Sequence, residues 1–193
     1  FIDELAHATG QDPLEFRRAL MAKHPKHLAV LDAVAQGAGW GKPAAKGVFR
    51  GLAQTMGFGS YVAACAEVSV SDEGELKIHR IVAATNPGHA VNPQQIEAQI
   101  EGSFAYGLSA ALFGACTVKD GRIEQSNFHT YPVVKMADMP PVESIVMPSG
   151  DFWGGVGEPT IAVAAPAVLN AIFAATGKRI RDLPLSKHSL KKA

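Results

Sequence analysis

"YVAACAEVSVSDEGELKIHRIVAA" (residues 61–84) decides the fold class. In its first ten residues Val62, Ala64, Ala66, Val68 and Val70 alternate with Tyr61, Ala63, Cys65, Glu67 and Ser69. That period of two is the pattern of a strand with one face against a core. "SDEGE" supplies turn residues, and "LKIHRIVAA" (76–84) returns with Leu76, Ile78 and Val82 expected on one face. Two such strands around a short polar turn predict an antiparallel hairpin. Strands and helices alternate only coarsely elsewhere. The chain therefore reads as α+β, a mixed sheet with hairpins packed against two long amphipathic helices, rather than a doubly wound parallel sheet.

Downstream, "TNPGHAVNP" (85–93) is rich in breakers and reads as a loop. Ile96, Ile100, Phe104, Leu108 and Leu112 then recur every four residues, predicting an amphipathic helix of about 20 residues. "CTVKDGRIEQSNF" (116–128) predicts a second hairpin around Lys119-Asp120-Gly121, and "PVESIVMP" (141–148) another strand. The last helix is expected from about Pro159 to Thr176, capped by Gly177, with Pro166 kinking or restarting it. Upstream, Asp12, Pro13 and Glu15 form a helix-start signature. Together with 1–9 and 27–36 it makes residues 1–46 a helical lead-in and linker, and 47–193 the main body.

The 193 residues are 47% hydrophobic and 19% charged, enough for one sizeable core. Eighteen basic and eighteen acidic residues cancel, so no basic stripe suits a phosphate backbone and nucleic acid is not an expected partner. No membrane span is expected from the sequence. Cys65 and Cys116 match no metal or redox spacing and read as small buried hydrophobes. "FIDELAHATG" (1–10) begins without Met and reads as the interior of a helix, so the chain is expected to be a piece of something longer. His24 and His27 flank Pro25 and cannot share a helical face as metal ligands. His89, in the 85–93 loop, reads either as a ligand-facing or as a surface histidine.

"DFWGGVGEPT" (151–160) differs in kind. Gly154, Gly155 and Gly157 let a ligand or another backbone come close. Glu158 follows them just where a helix is expected to start. It reads either as a general base poised in its ionised form or as an acid favoured in a first helical turn. Phe152 and Trp153 could pack on an aromatic substrate or anchor the loop in the core.

"GVGEP" (155–159) ahead of a small-residue helix resembles the C-terminal signature of the molybdenum hydroxylases, the large subunits of the xanthine oxidase and aldehyde oxidase family. "VNPQQIEAQIEGSFAYGLSAALFG" (91–114), "VKDGRIEQSNFHTYPVVKMADMPPVE" (118–143) and "GKRIRDLPL" (177–185) are similar to further segments of that subunit, in the same order. "FIDELAHATGQDPLEFR" (1–17) resembles a helical stretch of it, so the likeness covers nearly the whole chain. The wording is most similar to the isoquinoline 1-oxidoreductase beta-subunit type, which is bacterial.

The resemblance implies a fold that is part of the molybdenum-cofactor-binding domain. It implies an oxidoreductase acting on an aldehyde or an N-heteroaromatic compound, with water as oxygen source and Glu158 as the catalytic base. It implies molybdenum held by molybdopterin cytosine dinucleotide, with Gly155, Val156 and Gly157 in close contact with the cofactor, and a partner iron–sulfur subunit bearing [2Fe–2S] clusters. Many members have Gln where this chain has Tyr106. That tyrosine either donates a hydrogen bond near the cofactor or packs in the core of its helix. The family's subunit is several times longer, and residues 1–150 hold no recognisable pterin-binding glycine loop. The chain alone is therefore expected to bind cofactor poorly. Periplasm and cytoplasm stay equally open.

Overall fold

The computed structural model describes residues 1–191. Three helices come first: α1 (Ile2–Ala8), α2 (Pro13–Leu20) and α3 (Pro25–Gly37). Asp12 caps α2 as its sequence implies, its Oδ1 accepting from the Leu14 and Glu15 amides at 2.8 and 3.1 Å. Then follow β1 (Phe49–Gly57), β2 (Ser60–Val70), β3 (Leu76–Asn86), α4 (Pro93–Leu112), the two-residue strands β4 (Val118–Lys119) and β5 (Arg122–Ile123), β6 (Val142–Val146) and α5 (Ile161–Thr176). Among the described residues no helix is long and apolar enough to cross a membrane.

The main sheet has the order β1-β2-β3-β6. β1, β2 and β3 form an antiparallel meander, while β6 joins β3 in parallel after the crossover through α4. The α+β class with a mixed sheet is therefore what the chain adopts. The β4–β5 hairpin turns at Asp120 and Gly121, both at positive φ, as its Asp-Gly pair requires.

The sheet is covered on both faces, which the alternation in 61–70 understated. α4 and α5 pack on one face through Ile96, Ile100, Phe104, Leu108, Val163, Ala167, Val168 and Ile172, against Val62, Ala64, Ala66 and Val68. α3 covers the other with Val30, Leu31 and Val34 against Leu52, Ala63, Cys65, Val82 and Ala84. α5 lies so close to β1 that a Cβ on Gly51 would collide with the helix backbone at Ala171 and Ala167. Burial pushes the Cys65 thiol up to about 12, the behaviour of an inert packed side chain. Cys116, expected to be buried as well, is exposed.

Val82 does not share a face with Leu76 and Ile78. The β2–β3 register pairs Glu67 with Arg80 but Val68 with Ile78, so His79 is an extra residue and the alternation flips beyond it. Ile81 and Ala83 consequently join the α4–α5 core, and Val82 and Ala84 meet α3. α5 runs as one helix through Pro166, so of the kink or restart expected there the restart does not occur, and it ends on Gly177 at φ 73°.

On the α3 side of the sheet, Arg50, Glu67, Arg80 and Glu143 form a chain of ion pairs. Glu67 lies 2.9 Å from Arg50 Nε and 3.3 Å from Arg80, and Arg80 reaches Glu143 at 2.8 Å. Burial works to raise the Glu67 pKa, but its hydrogen bonds and attraction to the two guanidiniums outweigh it, leaving the carboxyl below its ordinary value. A depressed folded-state pKa stabilises the fold above the unfolded-state value and loses that contribution as pH falls through the folded-state value. Glu67→Gln is expected to cost about 2 kcal/mol at pH 7. In urea titrations at successive pH values the gap to the parent should close as the carboxylate range is crossed downward; a gap independent of pH would refute the assignment.

Candidate functional site

The loop from Pro148 to Thr160 connects β6 to α5 and lies across the same end of the sheet as two other connections. One is the β1–β2 turn, where Phe58 and Gly59 both have positive φ (52° and 80°) between the paired residues Gly57 and Ser60. The other is the β3–α4 loop, entered through Asn86, whose Oδ1 accepts from the Gly88 amide at 3.0 Å. All three meet because β1, β2, β3 and β6 are neighbours in one sheet.

Backbone hydrogen bonds hold the loop between these two neighbours. The His89 amide donates to Phe152 O at 2.9 Å, Gly154 to Pro87 O at 2.8 Å, and Gly155 to Phe58 O at 2.8 Å. The buried Ser60 hydroxyl donates to Gly155 O at 2.6 Å. Gly88 adopts φ 77°, and a Cβ there would collide with the Phe152 carbonyl. A Cβ on Gly154 would likewise strike Ser60 Oγ. Gly154 and Gly155 thus allow one backbone to approach another, and both polar groups of Gly155 are committed within the chain. At Gly157 an added Cβ meets nothing within 4 Å, so this glycine borders open space. Val156 is half-buried and packs against the α4–α5 core.

The aromatic pair ahead of the glycines divides its duties. Phe152 anchors the loop, edge-on to Tyr61 with ring centroids 5.8 Å apart and with Lys26 Nζ 4.6 Å from its ring centre. Lys26 also pairs with Asp151 at 2.6 Å; Lys26 first and Ser149 second hold that carboxyl below its ordinary value. Trp153 does not enter the core. It is 72% exposed, and the exposed His89 stacks on it at 4.2 Å.

Glu158 sits two residues ahead of Thr160, the N-cap of α5, so it belongs to the turn before the helix and not to its first turn. Its carbonyl accepts from the Ile161 amide at 3.0 Å, which closes that turn. Thr160 forgoes capping: its hydroxyl donates to Ser103 Oγ of α4 at 2.7 Å, in the interior. The Glu158 side chain is exposed and, among the described residues, makes no ion pair or side-chain hydrogen bond. Tyr106 follows Ser103 by one turn on α4 and is 77% exposed, so it is not packed in the core of its helix. A Cβ on its neighbour Gly107 would press on Ala164 and Ile161, which places this stretch of α4 beside the first turn of α5.

The sequence singled out Glu158, Gly155, Val156, Gly157 and Tyr106 as candidates and left out Phe58, Ser60, Pro87 and Gly88, which hold the loop. A Phe-Gly pair between two strand patterns was the available signal for the first of these. A cavity of about 830 Å³ lies at the other end of the sheet, lined by Leu76, His79, Leu112, Met139 and Leu190. Among the described residues no three His, Cys, Asp or Glu side chains gather as metal ligands.

Ser60 offers a direct check on how the loop is held. Ser60→Ala should cost about 1 kcal/mol in a denaturant titration and speed hydrogen exchange at the 154–158 amides. Unchanged exchange would show that the hydroxyl is not part of the clamp.

Residues 7–140 match the molybdopterin cofactor-binding domain family. The chain is 32% identical to isoquinoline 1-oxidoreductase subunit beta of Brevundimonas diminuta, over 95% of this chain and 24% of that one. It is 29% identical to a membrane-bound aldehyde dehydrogenase of Gluconacetobacter polyoxogenes, named for pyrroloquinoline quinone, over 96% of this chain and 26% of that one. It thus spans about a quarter of the length of these relatives. The crystal structure of the aldehyde oxidoreductase from Desulfovibrio desulfuricans shares the fold with a TM-score of 0.60 at 23% identity, over 68% of this chain and 15% of that one.

Proposed function

The chain belongs to the molybdopterin cofactor-binding domain family of the molybdenum hydroxylases, and from that premise we propose that it carries the general base of such an oxidoreductase, Glu158. The observation that carries the proposal is the state of this side chain: an exposed carboxylate without an ion-pair partner, on a loop whose backbone is fixed from both sides. A base must reach its proton at about 3 Å without first breaking a salt bridge. A loop held by main-chain hydrogen bonds delivers that position without further ordering.

The residues fit a cofactor-borne metal better than a metal site of their own. Gly157 borders open space and Glu158 supplies one carboxylate, with no ligand cluster around them among the described residues. When bound, a molybdopterin cofactor would take up the two electrons that the substrate loses. In this reading Glu158 and Gly157 face it; Gly155, its N–H and C=O both engaged, and the half-buried Val156 support that edge, and Tyr106 presents its phenol beside the start of α5. The cytosine dinucleotide form, a binding surface contributed mostly by other parts of a longer subunit, and a partner subunit with [2Fe–2S] clusters belong to the same proposal.

The substrate class is an aldehyde or an N-heteroaromatic compound, the two kinds that the relatives' names contain. Oxidising an aldehyde with water yields a carboxylic acid, two protons and two electrons; hydroxylating a ring C–H has the same balance. One of the two protons comes from the water that supplies the oxygen, and Glu158 accepts it as the new C–O bond forms. Glu158→Gln in the complete enzyme tests the proposal: turnover should fall by orders of magnitude, and near-normal turnover would overturn it.

A further inference from the structure

Trp153 is a large apolar side chain left 72% exposed on a segment that is otherwise tightly fastened. The bridge between Gly88 and Trp153, the His89 amide on Phe152 O and the Gly154 amide on Pro87 O fix the backbone at and on both sides of the indole. Phe152, its neighbour, is half-buried against Tyr61 and Lys26, whereas Trp153 stands in solvent beside His89. The two rings are stacked, with centroids 4.2 Å apart and planes inclined by 21°. The imidazole thus covers one face of the indole, and exposure of this size leaves the opposite face open.

We propose that the open face of Trp153, backed by His89, is the platform on which a planar N-heteroaromatic substrate stacks. This rests on the reading of Glu158 as the base and deepens it by naming what selects the substrate. Trp153 and Glu158 are five positions apart, with four residues between them, so their backbones lie at most about 18 Å apart even on a fully extended path. An indole face is electron-rich and attracts the electron-poor ring of an N-heterocycle, whereas a small aliphatic aldehyde has no ring to stack. Because the backbone and the His89 stack already hold the indole, little conformational freedom remains to be lost on binding. Phe58 and Val91 are also exposed, on the two adjoining connections.

Isoquinoline and acetaldehyde are suitable probes. The chain has two tryptophans, so in a nitrogen–proton correlation spectrum of the 193-residue chain the two indole signals are separable, with Trp153→Phe assigning them. Isoquinoline is expected to shift the Trp153 signal saturably and leave Trp40 in place, while acetaldehyde moves neither. Glu158→Gln should titrate like the parent. In the complete enzyme Trp153→Ala is expected to raise KM for isoquinoline by at least about fivefold, the effect of losing one stacked ring, with KM for acetaldehyde unchanged and Trp153→Phe recovering part of the loss. No saturable shift at Trp153, equal shifts at both indoles, or a KM change shared by both substrates would each overturn the platform. Normal turnover of Glu158→Gln would overturn the base instead, and leaves the isoquinoline titration unaffected.

Discussion

Glu158→Gln in the complete, molybdenum-loaded enzyme is expected to lower kcat by about 10²–10⁴-fold, the range that a positioned base contributes. Glutamine keeps the size and shape of the side chain and removes its capacity to accept a proton at neutral pH. The fold should not register the change, because the carboxylate is exposed and holds no partner among the described residues; surface substitutions of this kind usually stay within about 0.5 kcal/mol. The pairing of a large kinetic loss with an unchanged unfolding midpoint separates a base from a structural acid. Near-normal turnover would instead make this part of the subunit a non-catalytic scaffold.

The largest effect on stability is expected from Asp3→Ala. Asp3 lies in α1, buried, with Arg17 Nη1 at 3.7 Å and Arg179 Nη1 at 2.8 Å. Arg17 also donates to Pro13 O and Leu52 O, and Arg179 to Asn170 Oδ1, its guanidinium resting over the Phe173 ring. Burial lowers the Arg17 pKa, and Asp3 is the chief influence opposing it. Removing the carboxylate leaves two confined cations facing each other across the joint between α1, α2 and the segment after α5. Breaking a buried ion pair from one side costs about 3 kcal/mol or more. A urea titration measures it directly, and a loss below about 1 kcal/mol would show that water screens the group.

What the residues disclosed in advance was local, and what they concealed was contact between distant segments. The 61–84 hairpin, the spacing of Ile96 to Leu112 along α4, the Asp120-Gly121 turn and the Gly177 cap each follow from neighbours within a few positions. The extra residue at His79 breaks the strand alternation without any breaker to announce it, which is why Val82 was assigned to the wrong face. Ala63 and Cys65 are small enough to read as the weaker side of a strand until α3 is placed on them. The pairing of Asp3 with Arg179 spans nearly the whole chain.

The candidate site divides along the same line. A lone carboxylate among glycines and a proline marked Glu158, and the resemblance supplied the role proposed for it. That Gly154 and Gly155 serve the β1–β2 turn, leaving Gly157 as the open one, depends on which strands are neighbours in the sheet. Phe152 and Trp153 are adjacent and chemically alike, yet one is anchored and the other exposed, because residues in an extended segment point to opposite sides.

On the proposed reading Glu158 is held free of partners so that it can face the reaction site. The measurement that bears on it most directly is a crystal structure of the complete enzyme with its cofactor bound. The result expected is the Glu158 carboxylate in the substrate cavity, unpaired and facing the cofactor, with the Gly154, Gly155 and Ser60 hydrogen bonds intact. A Glu158 side chain locked in an ion pair with another part of the subunit, or turned away from the cofactor, would contradict it.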